Sequence, residues 1–377
     1  MATSVRSDNR LWVRKVDGDM HVEPPDKQPA TRWYPGSSSA KPGSLDELLW
    51  CVKNVAAKGP EAEMRATGSH WAMSEASVTP GDMIETATPR HEKFSDQSKP
   101  RLNRALYEVI PDCLTAVARR FFFYGQNVPV FDPTVPVDPT KIYLFHVEAG
   151  MRIYELYSYI DADEEGKIPN SMAAEVAHEI TGLPPARSYY GLWALETLGG
   201  AGGQTIGGVV STATHGGDVV SGAIGDMVVA LHLIGPDAQE YWIERKTIHP
   251  SFSQLVDPLK LANVYSKGAG KPGGVERVNP IQYIQSDDLV NAAIVACGRM
   301  GVIYSMLLRT IRQYALDEVC ETEDWSSVKK WICNPLDPKF ASVFINNHFV
   351  RIDVDVYPVS PASRLVCNLA SHTAARE

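Results

Sequence analysis

The chain has 377 residues and a formal net charge of −9. Its length suffices for one large domain or two ordinary ones with a substantial core. The acidic balance excludes a general nucleic-acid binder, no apolar run reaches the roughly 18–20 residues of a membrane span, and the N-terminus (MATSVRSDNRLW) has no apolar leader segment. The cysteines (Cys51, Cys113, Cys297, Cys320, Cys333, Cys367) are scattered without a C-x-x-C pair. That points to reduced, mostly buried thiols in a cytoplasmic setting, and against a zinc site.

In chain order, residues 1–43 are polar and rich in Pro and Ser, an extended N-terminal segment with Trp12 and Trp33 as anchors. Ser44 opens a helix: Ser44 and Glu47 have capping-box spacing, and Leu45, Leu48, Leu49 and Val52 give an apolar face. It runs to about Lys58 and stops at Gly59-Pro60. Met64 to Ala66 reads as a short strand, ending in the turn Thr67-Gly68-Ser69-His70. Residues 85–140 have the character of an insertion, in which Tyr107 to Tyr124 is a candidate helix. Ile142 to Glu148 predicts a strand broken at Ala149-Gly150, followed by an amphipathic helix from Arg152 to Ile160. The run Asp161 to Glu165 lacks the glycine and terminal glutamate of a calcium loop and reads as a solvated charge run. Val228 to Ile234 and Tyr241 to Glu244 predict a hairpin around Gly235-Pro236-Asp237. Residues 262–280 read as a Gly/Pro/Lys loop, Leu289 to Cys297 as a helix, Gly301 to Ile311 as a strand, and Phe349 to Tyr357 as a further strand. No internal repeat is visible.

The most informative stretch is Leu198 to Asp218, LGGAGGQTIGGVVSTATHGGD, with 8 glycines in 21 residues. Glycine at this density is costly inside a helix or strand, and useful where backbone N–H groups approach a phosphate-bearing ligand. Ile206, Val209, Val210, Thr212 and Thr214 between the glycines indicate short buried segments. The reading is a buried, turn-rich wall around a large cofactor; a glycine-rich bend without a ligand is the alternative. The stretch has no P-loop pattern. It also lacks a Rossmann setting: Gly200 and Gly202 begin G-x-G-x-x-G, but Thr205 stands at its third glycine, and no helix start is expected after the glycines.

Four separated blocks stand in one order: Arg65-Ala66-Thr67-Gly68-Ser69-His70; Val147-Glu148-Ala149-Gly150; Gly203-Gln204-Thr205-Ile206-Gly207-Gly208 through Thr214-His215-Gly216; and Gly298-Arg299-Met300-Gly301-Val302-Ile303. Together they resemble the FAD-linked oxidases of the vanillyl-alcohol-oxidase type (PCMH-type FAD-binding), above all the aldonolactone and alditol oxidase branch. The resemblance covers roughly residues 12–85 and 141–315. It implies an α+β, two-subdomain FAD-binding domain over 44–315, with the insertion at about 85–140, and a short, partial substrate domain over 316–377. FAD would lie between the subdomains. The residues this assigns to the cofactor are Ala66, Thr67, Gly68, Ser69, His70, Trp71, Gln204, Thr205, Gly208, Ser211, Thr214, His215, Gly216, Gly217, Gly301 and Ile303.

In many members of that family the histidine of the first block is tied covalently to the flavin. Aligned without a gap, His70 falls on the family's second glycine and Trp71 on its histidine, so His70 takes the histidine's place if the turn is one residue shorter. Covalent attachment through His70 and a histidine that only hydrogen-bonds the cofactor or loop both stand. His215 is read as a hydrogen-bonding residue of a tight buried turn. Gly217 and Asp218 depart from the family's Thr-Gly, and Asp218 would point away from a pyrophosphate. Tyr189, Tyr190 and Trp193 are either core or the wall of a ring pocket.

The family carries a longer substrate domain than residues 313–377 provide, and its C-terminal His-Trp-x-Lys motif is absent. The expectation is a reduced substrate domain, a fragment, or a chain completed by a partner or second copy. On the Phe349 to Tyr357 strand, Arg351 and Asp353 share one face. An arginine and an acid there could orient a hydroxyl substrate and accept its proton, or simply line an exposed strand face. The resulting expectation is an FAD-dependent oxidoreductase acting on the CH–OH group of a small polyol, sugar acid or lactone, with oxygen or another electron acceptor. A flavin-binding homologue or subunit without independent catalysis, and a glycine-rich scaffold without flavin, are the alternatives.

Overall fold

In a computed structural model of the chain, Ser44 starts its helix as the spacing predicts. Its hydroxyl accepts from Glu47 N at 3.2 Å, and the Glu47 carboxylate reaches back to Gly43 N at 2.7 Å, one residue earlier than a standard capping box. The structure describes residues 4–8, 11–16, 19–22, 39–40, 42–69, 79, 81–86, 102–103, 106, 113–118, 122–123, 142–160, 193–199, 202–217, 221–248, 253–266, 279–312, 316–345, 349–354 and 364–372.

Ser4–Asp8 (β1), Leu11–Val16 (β2) and Asp19–Val22 (β3) pair as an antiparallel sheet, where the sequence predicts only an extended segment. After Ser39–Ala40 (β4), helix Leu45–Ala56 (α1) buries Leu45, Leu48, Leu49, Cys51 and Val52. Each fully buried leucine contributes about 1.5–3 kcal/mol. Met64–Thr67 (β5) and Asp82–Glu85 (β6) complete a small parallel sheet in the order β4-β6-β5.

The helix expected from Tyr107 to Tyr124 does not form as one element. Leu114 makes an isolated bridge to Val256, and Phe122–Phe123 (β7) pairs in parallel with the next strand. Adjacent aromatic residues suit a pleated surface, and strand pairing overrides the helical spacing. Ile142–Glu148 (β8) has the expected bounds, and Ile153–Ile160 (α2) follows the Ala149-Gly150 turn. Asp161 to Glu165, Tyr189, Tyr190 and Asp218 lie outside the described residues, and of Trp193 only the backbone is described, in strand Trp193–Ala194 (β9).

A helix does start after the glycines, contrary to the sequence expectation: Ile206–Ser211 (α3), with Thr205 as its N-cap. The Thr205 hydroxyl accepts from Gly208 N at 3.2 Å, and Ile206, Val209 and Val210 are buried. A good cap and an apolar face at helical spacing offset the helix cost of Gly207 and Gly208. Val228–Ile234 (β10) and Glu240–Glu244 (β11) form the predicted hairpin. Helix Pro258–Ser266 (α4) takes the start of the stretch expected to be a loop, because Leu261 and Tyr265 are buried. Gln282–Gln285 (β12) precedes helix Asp287–Ile294 (α5), which begins earlier than expected because Ser286 caps it through Leu289 N at 3.2 Å. Val302–Arg312 (β13) follows. Leu316–Asp324 (β14), helix Trp325–Ile332 (α6), Phe349–Val354 (β15) and Arg364–His372 (β16) complete the elements used below.

The main sheet has seven strands: β12-β11-β10-β13-β8-β7, with β9 paired on β13. One face packs on α2, α3 and α5 through Leu156, Ile206, Val209, Val210, Val290 and Ile294. The other packs on α1 and α4 and on Ile84 of the small parallel sheet. Strands β14-β16-β15 form a separate antiparallel sheet. The fold is therefore α+β. Among the described residues no helix is long and apolar enough to cross a membrane, and no group of three or more His, Cys, Asp and Glu could hold a metal ion.

The α1/α4 face of the main sheet is polar at its centre. His146 Nε2 meets Ser305 Oγ at 2.9 Å, His232 Nε2 meets Glu240 Oε2 at 3.0 Å, and Tyr304 Oη donates to Glu148 Oε1 at 2.8 Å. Burial and the neighbouring His232 push His146 down to about 3. Glu244 accepts from Leu255 N at 2.6 Å, Tyr283 Oη at 3.1 Å and Trp242 Nε1 at 3.4 Å, tying a loop to β11 and β12. Burial nonetheless pushes its carboxyl up to about 7, against the lowering effect of those donors. The folded chain thus holds a proton that the unfolded chain releases at lower pH. The stability this contributes is present below the unfolded pKa and is lost as pH rises through about 7. Melting temperatures from about pH 5 to about pH 8 should fall less steeply for Glu244→Gln than for the parent chain. Parallel curves would refute the assignment.

Candidate cofactor site

The four sequence blocks meet at one crossing. The chain leaving β8 turns at Ala149-Gly150, and the glycine-rich segment runs back across it. Ile153 N donates to Gln204 O at 3.0 Å, Tyr154 N to Gly202 O at 3.0 Å, Ile206 N to Met151 O at 2.7 Å, and Gly207 N to Ala149 O at 2.8 Å. The fourth block joins from both sides. Ala149 N donates to Tyr304 O at 2.8 Å, and Cys297 N donates to Ser211 O at 3.2 Å.

The first block closes the crossing. A Cβ on Gly68 would overlap the Thr205 hydroxyl, so glycine is what lets the first turn approach the Thr205 side chain. Thr67 O is held by Thr86 N at 2.9 Å and Thr86 Oγ1 at 3.0 Å, which fixes the end of β5. Gly301, at φ +128°, enters β13 in a conformation that L side chains rarely adopt, with Ile234 O close to where a Cβ would stand.

Ala66 and Thr67 are half-buried on β5. Ser69 is buried, and its hydroxyl has no hydrogen-bond partner among the described residues. His70 and Trp71 lie outside the described residues. Gln204 is half-buried, Thr205 is buried as the cap of α3, and Gly208 is bonded to that cap. Ser211 ends α3 half-buried, and Thr214 Oγ1 lies 3.3 Å from Thr212 Oγ1. Gly216 N donates to Thr197 Oγ1 at 3.1 Å, and Gly217 is exposed. His215 departs from the expected buried turn: it is exposed, with Nδ1 2.8 Å from Gly216 O. Ile303 lies in the core beneath α2, α3 and α5, so its side chain serves packing.

Arg351 and Asp353 stand on β15, opposite Asn368 and Val366 of β16, in the separate sheet. Strand pairing does not bring them to the crossing. Sequence reasoning missed Arg152, a buried guanidinium whose Nη1 donates to Tyr154 Oη at 2.7 Å and whose backbone bridges Thr205. It also gave no role to Tyr304. The signal for both was adjacency to a motif block, which on its own assigns no contact.

The crossing carries the kinds of group a dinucleotide would need. Ser69 offers a buried hydroxyl without a hydrogen-bond partner among the described residues, and Ser211 and Thr214 add hydroxyls beside a glycine-rich backbone. The steric reading is testable without any ligand. Gly68→Ala should cost about 1–3 kcal/mol as an overpacked contact, and Thr205→Ala about 1 kcal/mol as a lost cap. The double variant should cost clearly less than the sum, because removing the Thr205 hydroxyl makes room for the new Cβ. Strict additivity in denaturant titrations would show that the two residues do not touch.

No family model matches the chain, and no curated protein matches it in sequence. Among solved structures it is similar to a histidine-to-alanine mutant of cholesterol oxidase from Brevibacterium sterolicum, with 10% identity and a TM-score of 0.46. The match covers 89% of this chain and 45% of that one, so the chain spans less than half the length of that protein. A likeness at this level carries no functional weight.

Proposed function

We propose that the chain is an FAD-dependent oxidoreductase that binds its cofactor at the crossing of the four blocks. The observation that carries the reading is their convergence: segments from Ala66 to Ile303 are drawn together by backbone hydrogen bonds and by the Gly68–Thr205 approach. A half-buried seam of small residues and hydroxyls suits an extended ligand with two phosphates. When bound, FAD supplies hydride acceptance at the flavin and passage of electrons to oxygen or another acceptor. The protein's share is to bind and orient it: Ser69, Ser211 and Thr214 offer hydroxyls, and Gly68 lets the first turn come close. His70 is the proposed tether. The proposed substrates are small molecules with a hydroxyl-bearing carbon, namely a polyol, sugar acid or lactone, and the proposed setting is cytoplasmic.

One observation favours a second reading. Arg351 and Asp353, the residues proposed to meet the substrate, belong to a sheet that shares no strand pairing with the main sheet among the described residues. A flavin-binding chain whose catalysis is completed by a partner or second copy fits that arrangement.

The test is the visible absorbance of purified protein, before and after acid precipitation. Flavin bands in the native protein support the reading. Bands that remain with the pellet, and leave it in His70→Ala with the fold retained, assign the tether. Bands released to the supernatant keep the cofactor and remove the tether. Protein that stays colourless after incubation with FAD overturns the proposal. Bound flavin that no polyol, sugar acid or lactone reduces selects the second reading.

A further inference from the structure

Strand β13 carries one residue more than its neighbour β10 at this level. His232 pairs with Ser305 and Leu233 with Ile303, so Tyr304 is the extra residue of a β-bulge. The bulge turns the consecutive residues Tyr304 and Ser305 toward the same buried face. There Ser305 meets His146, and Tyr304 meets Glu148. The Tyr304 ring also stands edge-on to His232, with centroids 5.2 Å apart, and Glu240 holds that imidazole at 3.0 Å. The ring is therefore confined on its far side.

Tyr304 grips two successive residues of the second block. Its hydroxyl donates to Glu148 Oε1 and its carbonyl accepts from Ala149 N, each at 2.8 Å. The glycine-rich segment hangs from the residues so gripped: Met151 N donates to Glu148 O at 3.1 Å, Ile206 N to Met151 O, and Gly207 N to Ala149 O. Three residues before Tyr304 stands Gly301, at the end of the turn that brings Gly298 against Ala66 of the first block. One residue thus couples both walls of the crossing, through its hydroxyl and its carbonyl.

We infer that Tyr304 is a positioning residue for the cofactor site, its hydroxyl bond to Glu148 setting the spacing between the Ala149-Gly150 turn and the Gly298–Gly301 turn. The inference rests on the FAD reading for its ligand, and on the geometry alone for its mechanical part. Ser305 is the internal control, because its side-chain bond is on the same strand and face and as deeply buried, but goes to His146 rather than to the turn.

The experiment compares the full chain with Tyr304→Phe, Glu148→Gln and Ser305→Ala. It measures FAD affinity by quenching of flavin fluorescence, melting temperature, and amide exchange without FAD. Tyr304→Phe should weaken FAD binding about tenfold, the effect of about one buried hydrogen bond. It should also speed exchange in residues 149–154 and 202–211. Glu148→Gln, which keeps an acceptor oxygen, should give a smaller loss of the same kind. Ser305→Ala should lower the melting temperature comparably, yet change FAD affinity by less than about twofold. Equal losses of FAD affinity in Tyr304→Phe and Ser305→Ala, or faster exchange confined to β13, overturn the inference. A parent chain that takes no FAD refutes the cofactor reading, while the exchange experiment still decides the mechanical part.

Discussion

Buried peptide groups that no regular ladder satisfies are the constraint on which this structure depends. Where the chain turns at Ala149-Gly150 it has left β8 and not yet entered α2, and Ala149 and Met151 are fully enclosed. Water cannot serve their N–H and C=O groups, and leaving them unpaired is costly. The glycine-rich segment supplies donors to the two carbonyls, Gly207 N to Ala149 O and Ile206 N to Met151 O, while Tyr304 O and Glu148 O accept from Ala149 N and Met151 N. The density of glycine thus has a physical cause: close approach needs the missing Cβ at Gly207, which packs on Ala149, and the same holds for Gly68 in the first block, which packs on the Thr205 side chain.

The same constraint explains why polar residues cluster in the middle of a buried sheet face. His146, His232, Glu148, Glu240 and Ser305 are all enclosed, yet each has a partner across a strand boundary. Paired in this way they favour one register over its neighbours, since slipping a strand by one residue would send each polar group to the apolar side. The bulge at Tyr304 is part of that register and not a flaw in it.

Much of this was legible in the sequence, and the reasons are specific. Ser44, Ile142 to Glu148 and the β10–β11 hairpin were readable because a cap, an alternation and a Gly-Pro turn each act over a few residues. The helix after Thr205 was not, because glycine propensity argued against it and only burial of Ile206, Val209 and Val210 supplies the compensating energy. Phe122 and Phe123 were misread as helix because pairing with β8 is a long-range fact. The four blocks could be seen in order, but that they meet could not. The contact of Gly68 with Thr205 spans well over a hundred residues, and no spacing rule reaches so far. The role of Tyr304 was hidden for a related reason: alternation puts Tyr304 and Ser305 on opposite faces, and only the bulge turns both to the same one.

The central antiparallel pair of the main sheet joins residues far apart in the chain, with Ser305 opposite Glu148. Contacts of such long sequence separation form late, because the loop must close before any of them rewards it. During synthesis, the Ala149 turn and the glycine segment will have emerged well before the strand that grips them. Until residue 304 is available, the small-residue seam has no second wall and its apolar neighbours stay exposed. A nascent chain stalled before that point presents β8 as an unpaired edge, the kind of surface on which chains aggregate.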